Sequence, residues 1–177
     1  DTIHPYANAE ARTIWVDSTG KAVITPSFVD VGSTDNCAIR SLTVHPDTFT
    51  CSMLGANIVT LFVEDFDGNI STDTALVMVF DTLAPIIRTN DFTAYLDSNG
   101  AVVIQGTDID NGSLDYCNIA SSSISKSNFD CSNLGANTVT LSITDIWNNT
   151  GTGNATVTVV DIPRYNWSIC DYTPNGR

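Results

Sequence analysis

Two stretches of this chain carry carboxylates and amides close enough together to share a task. "DIDNGSLD" runs from Asp108 to Asp115 and "DIWNN" from Asp145 to Asn149; "FVDVGSTD" (Phe28 to Asp35) and "DFDGN" (Asp65 to Asn69) are their earlier counterparts. Calcium takes roughly six to eight oxygens from carboxylates, carbonyls and water. Asp30, Asp35, Asp65 and Asp67 would supply carboxylates in the first set, and Asp108, Asp110, Asp115 and Asp145 in the second. Where the second set has Asp108 the first has Phe28, and where the second has Trp147 the first has Asp67. If positions 28 and 67 line one pocket, that exchange keeps the ligand number. Asp, Asn and Gly are also ordinary turn formers, and D-x-D-x-G lacks the bidentate Glu of an EF-hand loop. The spacing leaves cation binding and turn chemistry both open.

Other chemistries find less support. The two histidines, His4 and His45, fall in a linker and a turn. No G-x-S-x-G, H-E-x-x-H or phosphate-cradling glycine loop occurs. Paired carboxylates serve glycosidases, but a unit of about 80 residues offers no deep cleft, so no enzyme is expected. Seven Lys+Arg against 20 Asp+Glu leave a net charge of −13. Such a chain repels nucleic-acid phosphates and anionic membrane surfaces and suits a hard cation. Hydrophobic content of 42% with mean hydropathy +0.06 suffices for packed cores. No apolar run approaches the roughly 18 residues of a membrane span. No charged-then-apolar leader opens the chain, as expected of a mature or excised piece.

The residues that must position these loops come in duplicate. "CSMLGANIVTL" (Cys51 to Leu61) returns as "CSNLGANTVTL" (Cys131 to Leu141), and Asp17, Gly20, Asp30, Asp35, Cys37, Phe49, Asp65 and Asn69 each recur 80 positions later. "DTIHP" at Asp1 and "DTLAP" at Asp81 open the two copies, and "DIP" at Asp161 resembles the start of a third. A period this long fits whole small domains in tandem, and the chain reads as a slice of a longer array or as its final segment. The predicted division is 1–80 and 81–160, with 161–177 the start of a further unit or a tail.

Within each copy the hydrophobic period is 2. Val139, Leu141 and Ile143 alternate with Thr138, Thr140, Ser142 and Thr144, and Ala155, Val157 and Val159 follow the same rule; Val59, Leu61, Val63, Ala75, Val77 and Val79 match in the first copy. These are strands with one face inward. "DSTG" (Asp17 to Gly20), "DSNG" (Asp97 to Gly100) and "DFDGN" read as hairpin turns. No helical pattern is present. Six or seven short strands in about 80 residues predict two tandem immunoglobulin-like β-sandwiches, an all-β fold. In that fold the loop between the second and third strands and the last hairpin share one end, so the acidic stretches would converge beside the incoming linker, where a cation would stiffen the array.

Cys37 precedes the strand around Ile39 to Val44 and Cys51 follows the turn at "HPDT". A hairpin centred near Val44 would bring them together, and likewise Cys117 and Cys131. Disulfides Cys37–Cys51 and Cys117–Cys131 are therefore expected, implying an oxidising, extracellular home. The alternatives are free core thiols or a zinc site from four cysteines; zinc fits less well, because its ligands usually come in C-x-x-C pairs. Cys170 is left over, pointing to a partner beyond the segment, another chain or a free thiol.

The string "LDSNG…VVIQGTDIDNGSLDYC…FDCSNLGANTVTLSITD…VTVVD" resembles the hyalin-repeat-like, immunoglobulin-fold modules of large secreted bacterial surface adhesins of the gliding, type IX-secreted kind. The resemblance spans Asp1 to Asp161 and departs at Phe28 and in the tail from Arg164. It implies a structural repeat of an extracellular stalk or filament, calcium-dependent, with neighbouring repeats or other filament chains as partners and a surface or polysaccharide target. It also implies O-glycans at "DTI", "DTA" and "DTL" (Thr2, Thr74 and Thr82). Asn69, Asn111, Asn148, Asn154 and Asn166 open N-x-S/T sequons. A carbohydrate-binding or spacer module of a secreted hydrolase is the alternative, and an exposed aromatic platform of Trp15, Tyr95 or Trp147 would favour it.

Overall fold

The computed structural model describes residues 2–162 and Cys170. The fold is all-β, with two compact units, Asp1–Leu83 and Ala84–Arg177, each an immunoglobulin-like β-sandwich. In the first unit the elements are β1 (Arg12–Trp15), β2 (Lys21–Val23), α1 (Pro26–Val29), β3 (Ile39–His45), β4 (Thr48–Thr50), β5 (Gly55–Asp65) and β6 (Ile70–Phe80). The second unit repeats them as β7 (Phe92–Tyr95), β8 (Ala101–Val103), α2 (Gly106–Ile109), β9 (Ile119–Ile124), β10 (Asn128–Asp130), β11 (Gly135–Asp145) and β12 (Thr150–Val160). Each element starts 80 residues after its counterpart (92 − 12, 150 − 70).

The larger sheet of the first unit has the order β1-β6-β5-β3, and the smaller pairs β2 with β4. The second unit has β7-β12-β11-β9 and β10-β8. β1 runs parallel to β6, and β7 parallel to β12, while the long hairpins β5–β6 and β11–β12 are antiparallel. Those hairpins form because the period-2 pattern is strongest there. Val59, Leu61, Val63, Ala75, Val77 and Val79 all point inward and are buried, and Phe49 and Ala22 close the core from the smaller sheet. Each such side chain contributes about 1.5–3 kcal/mol for its larger members. The second core repeats this with Val139, Leu141, Ile143, Ala155, Val157, Val159 and Phe129.

Three sequence expectations are corrected. β3 and β4 do not form a hairpin: β3 pairs with β5 in the larger sheet, and β4 crosses to pair with β2 in the smaller. Strand pattern identifies strands but not the sheet each joins, and this chain changes sheets between His45 and Thr48. The "DSTG" turn likewise joins strands of different sheets; Asp17 N–H donates to Lys21 O at 2.7 Å and Gly20 N–H to Asp17 O at 2.9 Å. Finally, α1 and α2 are single helical turns of four residues, too short to register as a period.

The cysteine pairing changes with the topology. Cys131 is bonded to Cys170, with Cα atoms 5.3 Å apart, so the expected Cys117–Cys131 bond does not form and Cys170 is not left over. Cys37 is a free, exposed thiol, so Cys37–Cys51 does not form either. Cys51 and Cys117 are half-cystines. Because β3 and β4, like β9 and β10, belong to different sheets, no shared ladder sets Cys37 opposite Cys51 or Cys117 opposite Cys131.

Candidate metal centre

The last hairpin of each unit turns on one aspartate. In the second unit Asp145 Oδ1 accepts from the N–H groups of Trp147 (2.7 Å) and Asn149 (2.9 Å), and Oδ2 accepts from Asn149 Nδ2 at 2.8 Å. Asp65 does the same with Asp67 (2.9 Å), Asn69 (2.8 Å) and Asn69 Nδ2 (2.7 Å). Both carboxylates are buried. Burial of Asp65 works to raise its pKa, but the Asn69 side chain and the N–H groups of Asn69, Asp67 and Gly68 outweigh it and hold the carboxyl below its ordinary value.

A second carboxylate in each unit sits just before β3 or β9. Asp115 Oδ1 accepts from Cys117 N–H at 2.7 Å, and Asp35 Oδ2 from the N–H groups of Cys37 (2.9 Å) and Ala38 (3.0 Å). Asp81, one residue past β6, accepts from Leu83 N–H at 2.9 Å through Oδ1 and is buried. Asp81, Asp115 and Asp145 each offer one carboxylate oxygen, and those oxygens lie within 4.8 Å of one another. Two oxygens bound to one calcium at about 2.4 Å can be at most about 4.8 Å apart, so the spacing matches a shared hard cation. Three carboxylates this close and largely shielded from water repel one another strongly, and a divalent cation offsets that repulsion. The donor set is all oxygen, which favours calcium over a softer metal.

The structure thus brings together two of the expected ligands, Asp115 and Asp145. The third, Asp81, was legible only as a recurrence: Asp1, Asp81 and Asp161 stand at the start of successive periods. Among the described residues, no other group of three potential ligands includes Asp30, Asp35, Asp65, Asp67, Asp108 or Asp110. Asp30 Oδ1 accepts from Ser33 N–H at 3.0 Å and Asp110 Oδ1 from Ser113 N–H at 2.9 Å, both turn contacts. Asp108 Oδ2 accepts from Gln105 N–H at 2.7 Å as half of a capping box at the start of α2. Asp108 thus caps a helix, a role that Phe28 does not take in the first copy.

Comparisons with known proteins add likenesses of fold. Human protocadherin-24 EC1-2 is 15% identical, over 92% of this chain and 100% of that one, with a TM-score of 0.43. Drosophila N-cadherin EC1-4 is 10% identical, over 90% and 50%, with a TM-score of 0.47. The N-terminal four immunoglobulin domains of Dscam1 are 8% identical, over 89% and 46%, with a TM-score of 0.41. The chain spans about half the length of the N-cadherin structure and of a protocadherin gamma B7 structure that it also resembles. No protein-family model matches the chain, and no curated protein does.

Of the aromatic platform candidates, Trp15 and Tyr95 occupy equivalent positions on β1 and β7 and are 55% and 56% exposed, while Trp147 is half-buried. Thr2, Thr74, Thr82, Asn111, Asn148 and Asn154 are exposed; Asn69 is half-buried with its amide on Asp65. Asn166 and most of the tail from Arg164 lie outside the described residues.

Proposed function

We propose that this chain is a structural repeat module of an extracellular adhesin, stalk or surface filament, that it is not an enzyme, and that it binds calcium through Asp81, Asp115 and Asp145. The observation that carries the reading is the cluster of three carboxylates at the end of a disulfide-bonded sandwich. Disulfides belong to oxidising compartments, and a duplicated sandwich has the form of an array element. No helix among the described residues is long and apolar enough to cross a membrane. The bound cation would neutralise the three carboxylates; Asp145 and Asp115 present their oxygens because backbone N–H groups hold each side chain in one rotamer. Partners in this reading are neighbouring repeats, other chains of a filament, and a surface or polysaccharide target.

The test is thermal unfolding of the non-reduced chain in calcium and then in excess chelator. A ligand that binds only the folded state stabilises it by about 2.7 kcal/mol at a hundred times its Kd, so the midpoint should rise with calcium. In the double variant Asp81→Asn and Asp115→Asn, which keeps an amide oxygen to accept the Leu83 and Cys117 N–H bonds, the calcium response should vanish. An unchanged midpoint in the unsubstituted chain overturns the cation site. A carbohydrate-binding module is the second reading, favoured by the exposure of Trp15 and Tyr95, whose rings could stack on sugar faces. Quenching of Trp15 fluorescence by soluble oligosaccharides would support it; a flat titration would remove it.

A further inference from the structure

Alternation along β1, β5 and β6 turns a second set of side chains away from the core of the first unit. Trp15 lies beside Phe80 on the β1–β6 ladder, and Met78 and Leu76 follow at successive outward positions of β6. Ile58 stands opposite Leu76 on β5, with Phe62 two outward positions further on. Trp15, Ile58, Phe62 and Leu76 are exposed, Ile58 by 70%, and Met78 and Phe80 are half-buried. The second unit bears Tyr95 and Val160 at two of these places but Thr158, Thr156, Thr138 and Ser142 at the rest, and it folds to the same sheet order. The apolar stripe is therefore no requirement of the sandwich, and a continuous stripe differs from the singly scattered hydrophobes of an ordinary surface.

The same face holds no unpaired charge. The chain carries −13, yet among the outward positions of the described strands β1, β3, β5 and β6 the one carboxylate is Glu64, and Arg40 pairs with it at 3.1 Å. Two copies of so acidic a chain repel one another wherever carboxylates meet, and across this face they do not meet. A strongly basic partner finds nothing here to pair with. The four strands, at about 3.4 Å per residue and about 4.8 Å apart, cover a projected area of about 500 Å², and the side chains standing on it expose more than that. Two such faces in contact bury on the order of 1,000–1,500 Å² in all, which reaches the lower range of specific interfaces. Sheet faces also fit one another readily, packing about 10 Å apart with their strands within about 30° of alignment. We propose that the outer face of β1, β6 and β5 is a self-association surface, occupied by the same face of a second copy of this chain about a two-fold axis. Trp15 and Phe62 are its aromatic anchors, the side chains that interface cores favour. This contact goes beyond the calcium-binding module and does not depend on it.

The test is sedimentation equilibrium of the whole chain from about 1 µM to about 1 mM, non-reduced and with Cys37 alkylated so that no disulfide links two copies. A reversible monomer–dimer equilibrium is expected. Ile58→Thr with Leu76→Thr, which copies Thr138 and Thr156, should weaken the dimer at least about tenfold, while circular dichroism of the dilute monomer shows an unchanged fold. Val23→Thr, on the smaller sheet and 64% exposed, should leave the dissociation constant unchanged. If the double variant misfolds, Phe62→Ser, which copies Ser142, takes its place with the same expected loss. A chain that is monomeric at every concentration overturns the proposal, and so does a dimer that the face variants leave intact. A monomer whose tryptophan emission shifts on neutral phosphatidylcholine vesicles overturns it as well and gives the face to a lipid surface. Calcium stabilisation of that monomer would leave the proposed function standing.

Discussion

At the scale of single residues, the aspartates divide by what their oxygens touch. Asp65, Asp17 and Asp97 all organise tight turns with backbone N–H groups, and all have pKa values below the ordinary one. For Asp17 the leading cause is the Thr19 hydroxyl, and for Asp97 the Ala101 N–H. A carboxyl depressed on folding stabilises the folded state above its unfolded pKa and loses that contribution as pH falls through the folded value. Stability should therefore be level above about pH 5 and decline towards about pH 2. In Asp65→Asn the decline should be shallower, as checked by urea midpoints across that range. The turn aspartates were legible from D-x-x-G spacing; Asp81 was not recognised as a ligand, because it stands alone in the linker and only folding brings it to Asp115 and Asp145.

At the scale of elements, the duplicated strands serve as controls for one another. On the outer face of the larger sheet the first copy carries Ile58, Phe62 and Leu76, all exposed, where the second carries Thr138, Ser142 and Thr156. Ile58 stands opposite Leu76 across the ladder, as Thr138 stands opposite Thr156. Since the same sandwich forms with either set, Ile58→Thr with Leu76→Thr should change stability by no more than about 0.5 kcal/mol in urea unfolding, as for ordinary surface positions. One position on β12 is tighter in the second copy, where Gly153 stands in place of Asp73. Gly153 on β12 lies beneath Ile87, and a Cβ there would fall 2.6 Å from Ile87 Cγ2. Gly153→Val should cost about 1–3 kcal/mol as overpacking, measured by the same method. Strands such as β5 and β6 could be read from the sequence because their alternation runs for eleven residues; the sheet to which β4 belongs could not, because three residues carry no information about a partner far along the chain.

At the scale of the whole molecule, the disulfide and the terminal strands set how the folded chain holds together. Cys131–Cys170 closes a loop across 39 residues, which in the chain-entropy account stabilises the fold by about 4 kcal/mol. The Cys131→Ser, Cys170→Ser double variant should lower the thermal midpoint of the second unit by an amount corresponding to about 2–5 kcal/mol, and the first unit should be unaffected. The parallel pairing of β1 with β6, repeated in β7 with β12, has a mechanical meaning. The strand that enters each unit lies beside the strand that leaves it, and both point the same way. A pull on the two ends of a unit drags these neighbours in opposite directions along their length, so the ladder between them is loaded in shear, with its hydrogen bonds sharing the tension at once. Peeling, which would break them one at a time, is not open to that geometry.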